Sequence, residues 1–404
     1  MHYSLDCCPE VKPRLQLVTL QLALICTLNY GALLYLLPVL FLDLAQHWQW
    51  PVSLFFWAYS ALLLLAALVS PWVGRCIERL GARQMLWVSS LFGMLLLLAL
   101  AWVPHPLLAL LVIGLLGLAK AGAVYEASFA YCYRQVQDAA RVILWITLLA
   151  GFASTIFVPL AHLIKTQWGW QICLLVFALL GPGCSALLAW LLPKDPQSIK
   201  EPPTAQAAEP MLDAQQGQVS RALQLCFICF ALVASAVTAN LYSLLTELQM
   251  TESLLLLALM LIGPAQSLAR LLFGWLRTKL GNRRASLLAL ASQPLAFCLL
   301  PLMWLHPAAI VLFALAFGLA NGSMTMVRAI SIADLFGRAG YAARAGHFAA
   351  PSGIAAAIAP GLFASLYDLG WPLPLLLLIG TSLALTMLWQ FQRSYQLRAG
   401  HRAS

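Results

Sequence analysis

Four charged side chains stand out inside long apolar stretches of this sequence: Glu126, Lys120, Arg270 and Arg328. A charge in hydrocarbon is costly, so each is a functional candidate before any fold is considered. Glu126 closes the run Lys120-Ala-Gly-Ala-Val-Tyr125-Glu126 and is the one acid placed well inside an apolar segment. A carboxyl there can take a proton from one side and release it to the other, hold an amine, or pair with a buried base. Lys120 and Arg328 would attract a carboxylate or another anion; the alternative is that buried acids or helix carbonyls hold them. Asn29, Tyr30, Tyr125, Asn240 and Asn321 add hydrogen-bonding groups, for which contact between helices is an equal reading. Arg270, a turn before Gly274, reads as a snorkelling cation.

Other chemistries lack their residues. Paired carboxylates, a His-rich metal set, or a nucleophile with a base are not found, so no enzyme is expected. Cys226-x-x-Cys229 lies in an apolar segment without a partner pair, so no metal site is expected. With no Gly-x4-Gly-Lys loop, ATP hydrolysis by this chain is not expected, and no cofactor is implied.

The elements that must position these residues follow from composition. Of 404 residues, 62% are hydrophobic and 9% charged, against about 25% charged in a soluble domain. Lipid is therefore the main solvent, and only helices or a closed barrel satisfy the backbone there. Runs such as Leu107 to Leu118 lack the alternation of barrel strands. The reading is an all-α polytopic membrane protein. Twelve segments are predicted, at roughly 15–37, 52–73, 84–103, 107–131, 141–164, 170–192, 221–245, 253–276, 285–305, 308–332, 345–367 and 371–391. A polar, proline-bearing stretch divides them into an N-terminal half (1–192), a linker (193–220) and a C-terminal half (221–404). The net charge of +9 is scattered between apolar segments, which fits topology rather than nucleic acid. Nearly all basic residues outside the segments fall on one side, with Lys165 alone on the other, so both termini are expected in the cytoplasm.

Internal repetition is the strongest signal. His105-Pro106 recurs as His306-Pro307, Gly117-Leu118-Ala119 as Gly318-Leu319-Ala320, Pro159 as Pro360 and Gly169-Trp170 as Gly370-Trp371, each pair 201 residues apart. Thr27-x-Asn29 matches Thr238-x-Asn240 at 211, which implies an outer loop about ten residues longer after the first segment. Two pseudo-symmetric six-helix bundles follow.

Between the second and third segments stands Gly74, Glu78, Arg79, Gly81 and Arg83, echoed in the second half by Gly274, Lys279, Gly281 and Arg283, with Thr278 in place of the acid. This pattern resembles the cytoplasmic signature of the major facilitator superfamily. The resemblance implies a secondary transporter, with rocking halves, alternating access and a site between them lined by the first, fourth, seventh and tenth spans. It further implies a gating role for the motif and a small-molecule solute as partner, taken up or exported on a proton gradient or another gradient, by a monomer in a bacterial inner membrane. The Gly-Pro run of twelve-helix drug antiporters is missing from the fifth span, and no sugar-porter signature follows the sixth. A polytopic receptor or intramembrane enzyme is the alternative class, but a receptor gives no reason for a duplicated gating loop.

Helix geometry limits which groups share a face. Asn321 matches Lys120 through the repeat, and Arg328 lies seven residues further, hence on the same face. Glu126 is six residues from Lys120, about 240° around a continuous helix, so the two are not expected to point into one cavity.

Overall fold

The computed structural model of the chain describes residues 11–136, 138–194, 213–247, 251–300, 302, 306 and 308–401. Among them there are helices and no strands. In chain order these are α1 (Val11–Tyr30), α2 (Leu36–Trp48), α3 (Val52–Leu80), α4 (Ala82–Trp102), α5 (Pro106–Ala123), α6 (Tyr125–Gln135), α7 (Ala139–Ala150), α8 (Ala153–Ala178) and α9 (Cys184–Leu191). Then follow α10 (Asp213–Glu247), α11 (Glu252–Leu299), α12 (Ala309–Phe336), α13 (Tyr341–Asp368) and α14 (Leu373–His401). One wide π-turn, Gly31–Tyr35, joins α1 to α2, and another, Leu179–Gly183, joins α8 to α9.

Nine stretches among the described residues are long and apolar enough to cross a membrane. The longest, Ala139–Leu191, has 53 residues, which as one straight helix would run about 80 Å, far beyond the ~30 Å hydrocarbon core. Gly169, at φ 84°, breaks it, and Gly281, at φ 78°, breaks the 48-residue α11 in the same way. Only glycine takes such a backbone without strain. Each break falls between two of the predicted segments.

The chain divides into two compact units, Met1–Ile199 and Lys200–Ser404. The core of the first contains Leu33, Phe41, Phe55, Ile113 and Phe177; that of the second contains Val233, Phe297, Ile310, Phe313 and Phe317. Large apolar residues also stand outside, among them Trp57, Trp102 and Leu111 in the first unit and Met260, Leu268 and Leu378 in the second. Such surfaces are stable against lipid rather than water.

The sequence repeat has conformational content. His105 Nδ1 accepts from the Leu107 N–H at 3.2 Å ahead of α5, and His306 Nδ1 accepts from the Ala308 N–H at 3.2 Å ahead of α12. Gly169 and Gly370 share φ near 84°, as 84° and 83°. Gly117 lets α5 approach the backbone at Leu62 of α3, and Gly318 lets α12 approach the backbone at Ile262 of α11. A Cβ at either glycine would overlap a main-chain carbonyl.

One expectation needs correction. The extra residues after the first segment do not form a loop: they continue the helix as α2, which ends at Gln49 with φ 54°. The reason is the apolar run Leu36 to Leu44, which packs into the first core. Of the expected linker 193–220, Asp213 to Ser220 are helical, as the start of α10, and most of the remainder lies outside the described residues.

Candidate functional site

The fourth predicted segment is not one helix. Val124 leaves helical geometry (φ −122°, ψ −134°), so α5 stops at Ala123 and α6 restarts at Tyr125. A broken helix frees carbonyls at one end and N–H groups at the other, and lipid cannot satisfy them. Asn29 of α1 answers part of this demand. Its Nδ2 donates to the Ala123 carbonyl at 3.0 Å and to Ser90 Oγ at 3.1 Å. Asn29 is completely buried, and its Oδ1 has no partner among the described residues.

The seam continues along α1 and α6. Cys26 Sγ and Ser128 Oγ lie 3.2 Å apart, and the rings of Tyr30 and Tyr125 are 4.9 Å apart. Glu126 stands half-buried in the first turn of α6, where the partial positive charge of the helix end favours a carboxylate. It is within electrostatic range of Cys26 and Tyr30 and makes no hydrogen bond or ion pair among the described residues. The break also removes the 240° argument, because rotation at 100° per residue does not pass through Val124. Lys120, in the last turn of α5, and Glu126 are therefore not held to opposite faces.

At the end of the first unit that carries the Gly74 to Arg83 motif, Arg134 Nη2 of α6 meets Glu78 Oε2 of α3 at 2.5 Å and the Glu78 carbonyl at 3.3 Å. Arg83 donates to the Trp190 carbonyl near the end of α9. Tyr131 and Gln135 of α6 reach the carbonyls of Pro193 and Lys194 at 3.1 and 3.3 Å. Gly74 is buried and Arg79 exposed. Two basic groups thus satisfy the last carbonyls of helices, where a cation also meets the negative end of the dipole.

The second unit builds the corresponding end with other groups. Thr278 has turned back to the Trp275 carbonyl at 2.7 Å. Asp334 of α12 instead accepts from Tyr395 at 2.9 Å, and Arg398 donates to the Asp334 carbonyl at 2.7 Å. Arg283 lies over the Tyr395 ring at 6.0 Å, so Arg83 and Arg283 both reach toward the last helix of their unit. Lys279 is exposed, and Gly274 is half-buried. Arg344 caps α12 through the Phe336 and Ala339 carbonyls.

The remaining predicted residues divide. Asn321 bonds its own helix at Phe317, 3.0 Å away. Arg328, two turns on along the uninterrupted α12, is half-buried and makes no hydrogen bond or ion pair among the described residues. Asn240 donates to the carbonyls of Ala236 at 2.9 Å and Pro360 at 3.4 Å, a contact between helices. Arg270 does not snorkel: it is 8% exposed, with Nε unpartnered among the described residues. Sequence reading missed Cys26, Ser90, Ser128 and Arg134. A small hydroxyl or a basic group near a segment end carries no local signal of its partner. Among the described residues no cluster could hold a metal ion.

An all-helical chain with many large apolar side chains on its surface and charges inside its helices is a polytopic membrane protein. The Major Facilitator Superfamily model matches residues 22–292 and 223–403, and the chain belongs to that family. Its fold is similar to that of the Escherichia coli fucose:proton symporter FucP, with a TM-score of 0.70 and 14% identity over 95% of this chain and 98% of that one. It is also similar to the human organic anion transporter MFSD10 (TETRAN), with a TM-score of 0.63 and 18% identity over 97% and 100% of the two chains. Among curated proteins none matches this sequence. The chain is an integral membrane protein of transport function, not an enzyme.

Proposed function

We propose that this protein is a secondary active transporter of a small organic solute, working by alternating access and coupled to protons. The observation that carries the reading is the break at Val124, which leaves Glu126 half-buried at the start of α6 with no ion pair among the described residues. A carboxyl that must change protonation in each cycle has to be reachable and not locked to a base; in support, Glu126 is half-buried and no base pairs with it among the described residues. Discontinuous helices are tolerated at membrane depth where they adjoin a cavity or packed protein.

Arg328, similarly unpaired, supports an anionic or zwitterionic solute, with Lys120 as a second cation. The names of the two neighbours are in keeping with this reading: one is a proton symporter, the other an organic anion transporter. The basic residues grouped with the Glu78 motif support a cytoplasmic position for that end and for both termini, in a bacterial inner membrane. The protein acts as a monomer in this reading.

The test pairs wild type with Glu126→Gln in cells whose contents and medium are compared by untargeted mass spectrometry. A solute concentrated by wild type alone identifies cargo and direction. In vesicles, Glu126→Gln abolishes uphill transport of that solute while exchange persists. Uphill transport at the wild-type rate in the variant removes Glu126 as the coupling group.

A further inference from the structure

The second unit has a cavity that its hydrogen bonds help to explain. Pro360 lies inside α13 and has no N–H for the Ala356 carbonyl four residues earlier. Ser235 Oγ of α10 donates to that carbonyl at 2.6 Å, and Asn240 Nδ2, five residues along α10, reaches the Pro360 carbonyl. Beside this bend, α10, α11, α12, α13 and α14 line a half-open cavity of about 130 Å³. Asn240 is its one polar side chain among the described residues; Phe297, Phe313 and Phe363 contribute aromatic rings to the wall.

Three properties define what fits. The volume is close to that of the apolar cavities of about 150 Å³ that stay dry and take up benzene. No charged side chain among the described residues lines it, which favours an uncharged compound, and its lining residues Leu362 and Ile379 are 50% and 36% exposed, so the cavity opens onto the surface of the second unit. Both Asn240 hydrogen bonds run from Nδ2 to carbonyls, which fixes the amide orientation. Its Oδ1 carries no hydrogen bond among the described residues, so it is open to a donor on a guest. Aromatic walls favour an aromatic guest through edge-to-face contact.

We propose that this cavity binds a small uncharged aromatic compound bearing one hydrogen-bond donor, a phenol in the simplest case, with its ring among the three phenylalanines and its hydroxyl donating to Asn240 Oδ1. The site lies wholly within the second unit and does not depend on Glu126.

The test uses the full chain in lipid nanodiscs, with empty nanodiscs as the partition control, and two probes of the same shape, 4-methylphenol and 1,4-dimethylbenzene. Binding is read by ligand-observed NMR. The expected result is that 4-methylphenol binds about tenfold tighter, the worth of one hydrogen bond in an apolar site, and that Ala359→Leu or Ala236→Leu, which fill the cavity, abolish the excess over empty nanodiscs. Equal binding of the two probes by wild type overturns the hydrogen-bonding part without any variant. No excess over empty nanodiscs for either probe, as when a lipid chain already fills the space, overturns the site itself. Undiminished binding in a filled variant that unfolds at the wild-type temperature places the ligand elsewhere and also overturns it.

Discussion

Arg134 on α6 closes onto Glu78 on α3 with 2.5 Å between Nη2 and Oε2, while the same nitrogen contacts the Glu78 carbonyl. One guanidinium thereby holds the acid of the family motif and the end of the helix that carries it. Both side chains are about a quarter exposed, so the pair is neither fully screened nor fully desolvated. Charge-assisted bonds of this kind are worth about 1.5–3 kcal/mol. Glu78→Gln and Arg134→Gln should each insert normally but shift the conformational equilibrium by about tenfold, measured as altered accessibility of cysteines introduced at this end. The exchange Glu78→Arg with Arg134→Glu should restore part of the wild-type accessibility. Identical accessibility in wild type and both single variants would leave the pair without a gating role.

Asn29 joins α1 to the broken fourth span, and its loss should be felt as stability. Asn29→Leu leaves the Ala123 carbonyl and Ser90 Oγ without their donor, at a cost of about 1–3 kcal/mol. Thermal unfolding in detergent should fall by several degrees, more than for Asn321→Leu, since Asn321 only bonds its own helix.

Two glycines of α5 provide an internal control. A Cβ at Gly117 would strike the Leu62 carbonyl, whereas at Gly114, one turn earlier, it would meet open space. Gly117→Ala should lower the unfolding temperature, and Gly114→Ala should leave it unchanged or raise it, by up to about 1 kcal/mol from helix propensity. Because Gly318 packs on Ile262 in the same manner, Gly318→Ala should repeat the loss in the second unit.

Ser235 and Pro360 should be energetically coupled. With proline in place, Ser235→Ala leaves the Ala356 carbonyl unpaired and should cost about 1 kcal/mol or more. In a Pro360→Ala background that carbonyl regains a helical N–H, so Ser235→Ala should cost less. A double-mutant cycle on unfolding temperature measures the difference, and strict additivity would show that Ser235 does not serve the bend.

Arg328→Gln should slow transport of the identified solute about tenfold or more without loss of inserted protein, as expected when an anionic solute loses a charge-assisted hydrogen bond. Lys120→Gln should act in the same direction. Wild-type rates in both would remove the cations from the substrate reading.

Hydropathy and motif spacing made much of this fold legible. The 201-residue repeat of His105 and His306, and of Gly169 and Gly370, corresponds to shared caps and shared positive-φ turns, because each feature depends on a few consecutive residues. The break at Val124 was not legible. Nothing in Ala-Gly-Ala-Val-Tyr marks a stop, and the unwound carbonyl is tolerated because Asn29, 94 positions away, is there to receive it. Of the candidate residues, Glu126 and Arg328 were found by the cost of charge in lipid. Cys26, Ser90 and Ser128 were hidden because uncharged small groups have many possible partners.

By itself, then, the sequence determined the solvent of this protein, its helices and its duplicated ancestry, since lipid admits few ways to satisfy a backbone and repeats survive as spacing. Tertiary structure alone decided that Glu78 pairs with Arg134, that Asp334 and Tyr395 serve where Thr278 replaced an acid, and that Asn240 beside Pro360 faces an apolar cavity. Those outcomes depend on which helix faces meet, and that choice is made by packing across dozens of intervening residues rather than by any local preference.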